Sequence, residues 1–148
     1  MTTTPTTLSE TIAALERQMP LTKEAVETTL QVKLAEVDRS EYFVTFASKQ
    51  AVPLQDGLTV TAISMMLRPS MQFDEKSGLS FELSGQCVSL DEVRKQYGEL
   101  ELTQPPRGRS LEETAAWSAR RAWGVLSLGF RQDRPDCLFR VTLRRQLP

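Results

Sequence analysis

Histidine is absent from this chain of 148 residues. That removes the commonest general base, the Ser-His and Cys-His nucleophile pairs and most zinc sites at once. Cysteine is scarce. Cys87 and Cys137 are the only two; they lack metal-ligand spacing, and a reducing compartment would leave them as thiols, with a bridge between them as the alternative. No Gly-rich phosphate loop occurs. No run of 18 apolar residues occurs either, and MTTTPTTLSETIAALERQ has no basic region followed by an apolar one, so the expectation is a cytoplasmic protein that does not enter a membrane. Carboxylate chemistry remains open on composition, but Asp74 with Glu75 and Glu112 with Glu113 are sequence neighbours that point different ways in a regular element. The reading is therefore a non-enzyme, with no cofactor and no metal.

What is present describes one ordinary domain. The chain is 40% apolar and 25% charged, enough to bury one core. Its net charge is only -1, yet the charge is unevenly spread. Residues 1 to 106 carry nine Lys or Arg against fifteen Asp or Glu, whereas residues 107 to 148 carry nine Arg, no Lys and four acids. Arginine makes planar, bidentate and stacked contacts better than lysine does, so this end suits carboxylates, phosphates or an acidic protein surface. The competing reading is a solvated strand face paired internally with the acidic part.

Residues 1 to 6 are Thr-rich and predict a disordered tail, leaving 7 to 148 as a single domain. Thr7 with Glu10 forms a capping box, and Leu8, Ile12, Leu15 and Met19 recur at helical spacing, predicting a helix over 8 to 19 that stops at Pro20. Thr22 caps a second helix over 22 to 30, with Val26 and Leu30 inward. Strands are predicted over 31 to 37 and 41 to 48 around a turn at 38 to 40, then over 58 to 67 after the Gln55-Asp56-Gly57 turn. Met65, Met66 and Met71 read as filler of irregular core space. Leu79, Phe81 and Leu83 alternate with Ser80, Glu82 and Ser84 in a half-buried strand.

The densest grammar lies in VSLDEVRKQYGELEL, residues 88 to 102. Ser89 and Glu92 make a capping box, Leu90, Val93 and Tyr97 form an apolar stripe, and Gly98 can end the helix, which predicts a helix over 89 to 97. Leu100 and Leu102 then begin a strand. Gln104 to Glu113 is a loop stiffened by two prolines, and strands follow over 114 to 120, 122 to 130 and 137 to 144. In the last strand Cys137, Phe139, Val141 and Leu143 are expected inward, with Leu138, Arg140, Thr142 and Arg144 outward.

Leu21-Thr22, Val26 and Leu30 align with Val88-Ser89, Val93 and Tyr97 at a constant offset of 67. The fold class expected is α+β: a single antiparallel sheet of about six or seven strands, short helices on one face, and two α-β-β pseudo-repeats.

The segments CVSLDEVRKQYGELELT, PRG, AWS, WGVLSLGF and PDCLFRVTL resemble small bacterial immunity proteins, and the doubled layout is similar to the β-lactamase-inhibitor-protein-like architecture. The resemblance covers about 60 of the 148 residues. It implies a cytoplasmic inhibitor that binds one secreted toxin tightly and covers its active site. The near-neutral charge departs from the strongly acidic inhibitors that meet basic, nucleic-acid-degrading toxins. A secretion chaperone or adaptor for an effector is the alternative; it would dimerise and bind an unfolded segment of its cargo through exposed apolar strand edges, whereas the sequence leaves the chain's own state open between monomer and homodimer. A nucleic-acid-binding domain would use Arg107, Arg109, Arg120, Arg121, Arg140, Arg144 and the tryptophans, but the acidic remainder would repel a phosphate backbone. The partner-binding surface expected is Arg107 and Arg109 on the stiff loop, Trp117 on the adjoining strand, Arg120, and the outward Arg140 and Arg144.

Overall fold

The computed structural model describes residues 7–105, 108, 110–111 and 113–145. The expected tail at 1–6, and Arg107 and Arg109, lie outside the described residues. Three helices, α1 (Leu8–Arg17), α2 (Lys23–Leu30) and α3 (Leu90–Tyr97), accompany nine strands: β1 (Ala35–Arg39), β2 (Val44–Ser48), β3 (Val52–Pro53), β4 (Leu58–Leu67), β5 (Gly78–Gly85), β6 (Glu101–Gln104), β7 (Thr114–Arg121), β8 (Gly124–Arg131) and β9 (Leu138–Arg144). They form one antiparallel sheet in the order β1-β2-β4-β5-β9-β8-β7-β6, with the short β3 paired to β4. The class is α+β as expected, with more strands than the six or seven read from the sequence.

Helix starts follow their caps. Thr7, Thr22 and Ser89 each accept a hydrogen bond from the backbone N–H three residues on, at Glu10, Ala25 and Glu92, which satisfies donors that the first turn leaves without a partner. Gln31 ends α2 in the left-handed conformation, so the strand expected from residue 31 begins only at Ala35. The turn falls at Ser40 to Phe43 instead of 38 to 40: Ser40 Oγ accepts from the N–H groups of Tyr42 and Phe43 at 3.1 Å each. The three methionines separate, Met65 entering the core while Met66 and Met71 are exposed.

Register puts Leu79 opposite Met65 and Leu143, and Phe81 opposite Ile63 and Val141. Leu126 and Leu128 continue the same face across β8. Ile12 and Leu15 of α1, Val26 and Leu30 of α2 and Val93 of α3 close over it in one hydrophobic cluster. Among the described residues the opposite face carries no helix.

The sheet can be divided where β5 meets β9. The first half holds α1, α2 and five strands and the second α3 and four, so the two are not equal α-β-β units, although each begins with helix and continues in antiparallel strands. The Ser80–Thr142 pair sits at the centre of that seam, with Leu79–Leu143 and Phe81–Val141 on either side. Both edge strands, β1 and β6, are irregular in register, at Glu36/Asp38 and at Leu102/Gln104.

Two expectations about the last strand are corrected. A register shift between Gly129 and Phe130 leaves Phe139 without a cross-strand partner, so Leu138 turns into the core and Phe139 is only half-buried. A bulge adds one residue and so reverses the alternation locally, which period-two counting cannot anticipate. Phe139 lies instead beneath two guanidiniums, Arg131 at 5.1 Å and Arg140 at 5.4 Å from its ring centre. Cys87 and Cys137 are not free thiols but are joined in a disulfide, their Cα atoms 4.8 Å apart. Leu138 N–H donates to Val88 O at 2.9 Å beside it, so the lead into α3 is fastened to the start of β9.

Candidate functional site

The face without helices is lined by small side chains. Its central row runs Ala47, Ser64, Ser80, Thr142, Ser127 and Ser118 from β2 to β7, each opposite the next. Thr142 Oγ1 donates to Ser80 Oγ at 3.2 Å, and Ser118 Oγ lies 2.7 Å from both Ser127 Oγ and Thr103 Oγ1. These hydroxyls tie β6, β7 and β8 to one another and, separately, β9 to β5 across the seam. Short side chains also leave a depression of about 530 Å³ over β4 to β9, open to solvent, whose lining includes Ser64, Ser80, Thr103, Thr114 and Ser127.

Charge borders this hydroxyl floor. On one side Arg140 stands opposite both Glu82 and Gly129, and its Nη2 donates to Glu82 Oε2 at 2.9 Å. On the other side Arg144 stands opposite Gly78 and Val125, and Val125 stands opposite Arg120. Arg120 and Arg144 are exposed and make no ion pair among the described residues.

The helix-side face at the same end of the sheet is locked. Glu16 of α1 receives Arg121 Nε and Nη2 at 3.0 and 3.1 Å and Trp123 Nε1 at 3.0 Å, so one carboxylate of the first half holds the β7–β8 turn of the second. Tyr97 of α3 is near this group. Burial, reinforced by the Glu16 charge, pushes its hydroxyl up to about 12, and that oxygen is buried without a hydrogen-bond partner among the described residues.

The expected surface is thus divided. Arg120, Arg140 and Arg144 share the open face, although Arg140 is engaged with Glu82. Trp117 is on the opposite face: it pairs with Leu102 and Leu128, packs half-buried against the core and lies 5.0 Å beneath the Arg94 guanidinium. Parity explains the separation, because residues 117 and 120 on one strand point to opposite faces. The hydroxyl ladder went unread in the sequence. Its members stood at outward positions, but their adjacency depends on which strands become neighbours. Among the described residues no group of three or more Asp, Glu, Cys or His could hold a metal ion, and no helix is long and apolar enough to cross a membrane.

No family model, curated protein or solved structure matches the chain. Function is read from the open face itself.

Proposed function

We propose that this chain is a non-catalytic protein-binding domain, an immunity protein that binds and blocks a cognate bacterial secreted toxin, and that the open face of the sheet is where the toxin docks. The observation that carries this reading is the breadth of that face: a floor of Ser, Thr, Ala and Gly across β4 to β9, shallow over about 530 Å³. A small ligand is normally enclosed on most sides, whereas a shallow hydroxyl floor with charged borders suits the surface of another folded protein. The ladder hydrogen bonds support tight binding, because side chains already held in place lose little freedom on association. The toxin itself comes into the reading from the resemblance to immunity proteins.

The Cys87–Cys137 bridge favours an oxidising compartment over the cytoplasm expected from the sequence, since cytosolic thiols are kept reduced. Co-expression with the product of the adjacent reading frame tests the proposal. A complex on gel filtration, protection of the host cell and loss of both on burying the floor with Ser127→Arg are expected. A complex without protection, in which the second protein is held unfolded, would replace inhibitor with secretion chaperone. If neither complex nor protection appears, the reading fails.

A further inference from the structure

Two Arg-Arg dipeptides, Arg120-Arg121 and Arg144-Arg145, flank the beginning of β8 at one end of the sheet. Arg121 is opposite Gly124, while Arg120 and Arg144 stand on either side of Val125. Alternation then treats the members of each dipeptide differently. Arg121 is held on the helix side by Glu16 at 3.0 and 3.1 Å, and Arg145 Nη1 donates to the carbonyl oxygen of the buried Phe73 at 3.3 Å. Arg120 and Arg144 project on the open face with no carboxylate partner among the described residues.

Neighbouring strands lie about 4.8 Å apart, so the backbones of Arg120 and Arg144 are about 10 Å apart across Val125. Val125 is only 5% exposed although no helix covers this face. On the other side of Arg144, Gly78 makes room for its side chain: a Cβ there would stand 3.2 Å from Arg144 Cγ. Along the same end, Arg120, Arg121 and Arg145 line a shallow depression of about 440 Å³ with Trp123, where Glu75 is the one acid among the described residues. With Arg121 neutralised by Glu16, two guanidiniums there face one carboxylate.

We propose that Arg120 and Arg144, on either side of Val125, form a two-pronged carboxylate seat that receives an acidic loop of a partner protein. This rests on the protein-binding reading above and specifies the chemistry of the partner. Each guanidinium can grip a carboxylate through two parallel N–H donors, which a lysine in either place could not do. A nucleic acid fits the arrangement less well. Proteins that bind duplexes neutralise roughly 6 to 10 phosphates, whereas here two free arginines are bordered by Glu75, Glu82, Glu99 and Glu101, the last two of which line a groove with Arg120.

Hexaglutamate titrated into the full chain, followed by backbone amide resonances, tests the seat. Saturable shifts are expected at residues 118 to 121, 124 to 126 and 142 to 145, weakening on a rise from about 20 to about 200 mM salt. Arg120→Ala and Arg144→Ala should each cost about three- to fivefold in affinity, the upper part of the range expected of one exposed charge contact. Arg120→Lys and Arg144→Lys should lose less, and Lys95→Ala, which removes the same charge from an exposed site on α3, should stay within about twofold. A dispersed amide spectrum from the lysine variants keeps the comparison valid if an alanine variant unfolds. Shifts centred elsewhere, equal loss for Lys95→Ala, or tighter binding of a thymidine hexanucleotide than of hexaglutamate would each overturn the proposal. A toxin complex unaffected by Arg120→Ala and Arg144→Ala would sink the seat and leave the inhibitor reading standing. Hexaglutamate binding at the seat without any toxin complex would do the opposite.

Discussion

Thr22 and Ser89 cap their helices in the same way 67 residues apart, yet the two halves they introduce are stabilised by different means. In the first half α1 and α2 together bury Leu8, Ile12, Leu15, Val26 and Leu30 over β2, β4 and β5. In the second half α3 is alone and buries only Val93, while Tyr97 and Trp117 remain half-buried and Leu102 is 45% exposed. Where apolar cover is thin, covalent and polar ties are concentrated: the disulfide, the Thr103–Ser118–Ser127 hydroxyl bridge, and the Glu16 clasp that borrows a carboxylate from the first half. A repeated plan thus leaves one copy to supply most of the core and frees the other to carry arginines on its outer face.

The comparison can be broken most forcefully at the seam. Phe81 is 1% exposed and faces Val141 where the halves meet, so Phe81→Ala should destabilise both together by about 3 to 5 kcal/mol in chemical denaturation. Two separate transitions in place of one would show that the halves are independent. Next in size, Cys87→Ala with Cys137→Ala, which opens a bridge between residues 50 apart, should cost about 2 to 4 kcal/mol. Hydrogen exchange should then rise in α3 and β9 before β2 and β4; uniform acceleration would contradict a local role for the bridge.

Trp117→Ala should cost about 1 to 3 kcal/mol, less than a fully buried aromatic, because the ring is half-covered by Arg94 and the core. An unchanged melting temperature would mean that the thin cover of the second half carries little of its stability. Tyr97→Phe sharpens the contrast from the other side. It removes a buried hydroxyl that has no partner, so stability at pH 7 should stay level or rise by up to about 1 kcal/mol. A clear loss would reveal an unseen partner for that oxygen.

The smallest effect belongs to the first half and is read from pH. Burial pushes the Glu27 carboxyl up, but the Leu34 N–H at 2.7 Å and Lys23 at 3.3 Å outweigh it and hold it below its ordinary value near 4.5. A depressed carboxyl stabilises the fold above its unfolded value and loses that contribution as pH falls through the folded one. The stability difference between parent and Glu27→Gln should therefore be present at pH 7 and shrink on acidification below about 4.5. A difference that grows with acid would reverse the assignment.

Helix starts, most strand extents and the α+β class were legible in the sequence because they depend on neighbours within a few residues. Caps at Thr7, Thr22 and Ser89 are satisfied locally, and β4 spans Leu58–Leu67 as its β-rich run predicts. The candidate site was legible only in pieces. Alternation places Arg140 and Arg144 outward, as the structure has them, whereas Arg120 and Trp117, both expected on the binding surface, lie on opposite faces because strand parity separates them. Phe139 was read inward because the shift at Gly129/Phe130 is a property of the pairing with β8, not of β9 alone. The hydroxyl ladder, the Cys87–Cys137 bridge and the Glu16 clasp join residues from 9 to 107 positions apart. Alternation within a segment tells which residues share a face of that segment. Only the order and register of the strands decide which segments share a face with one another, and those follow from long-range packing around a common core.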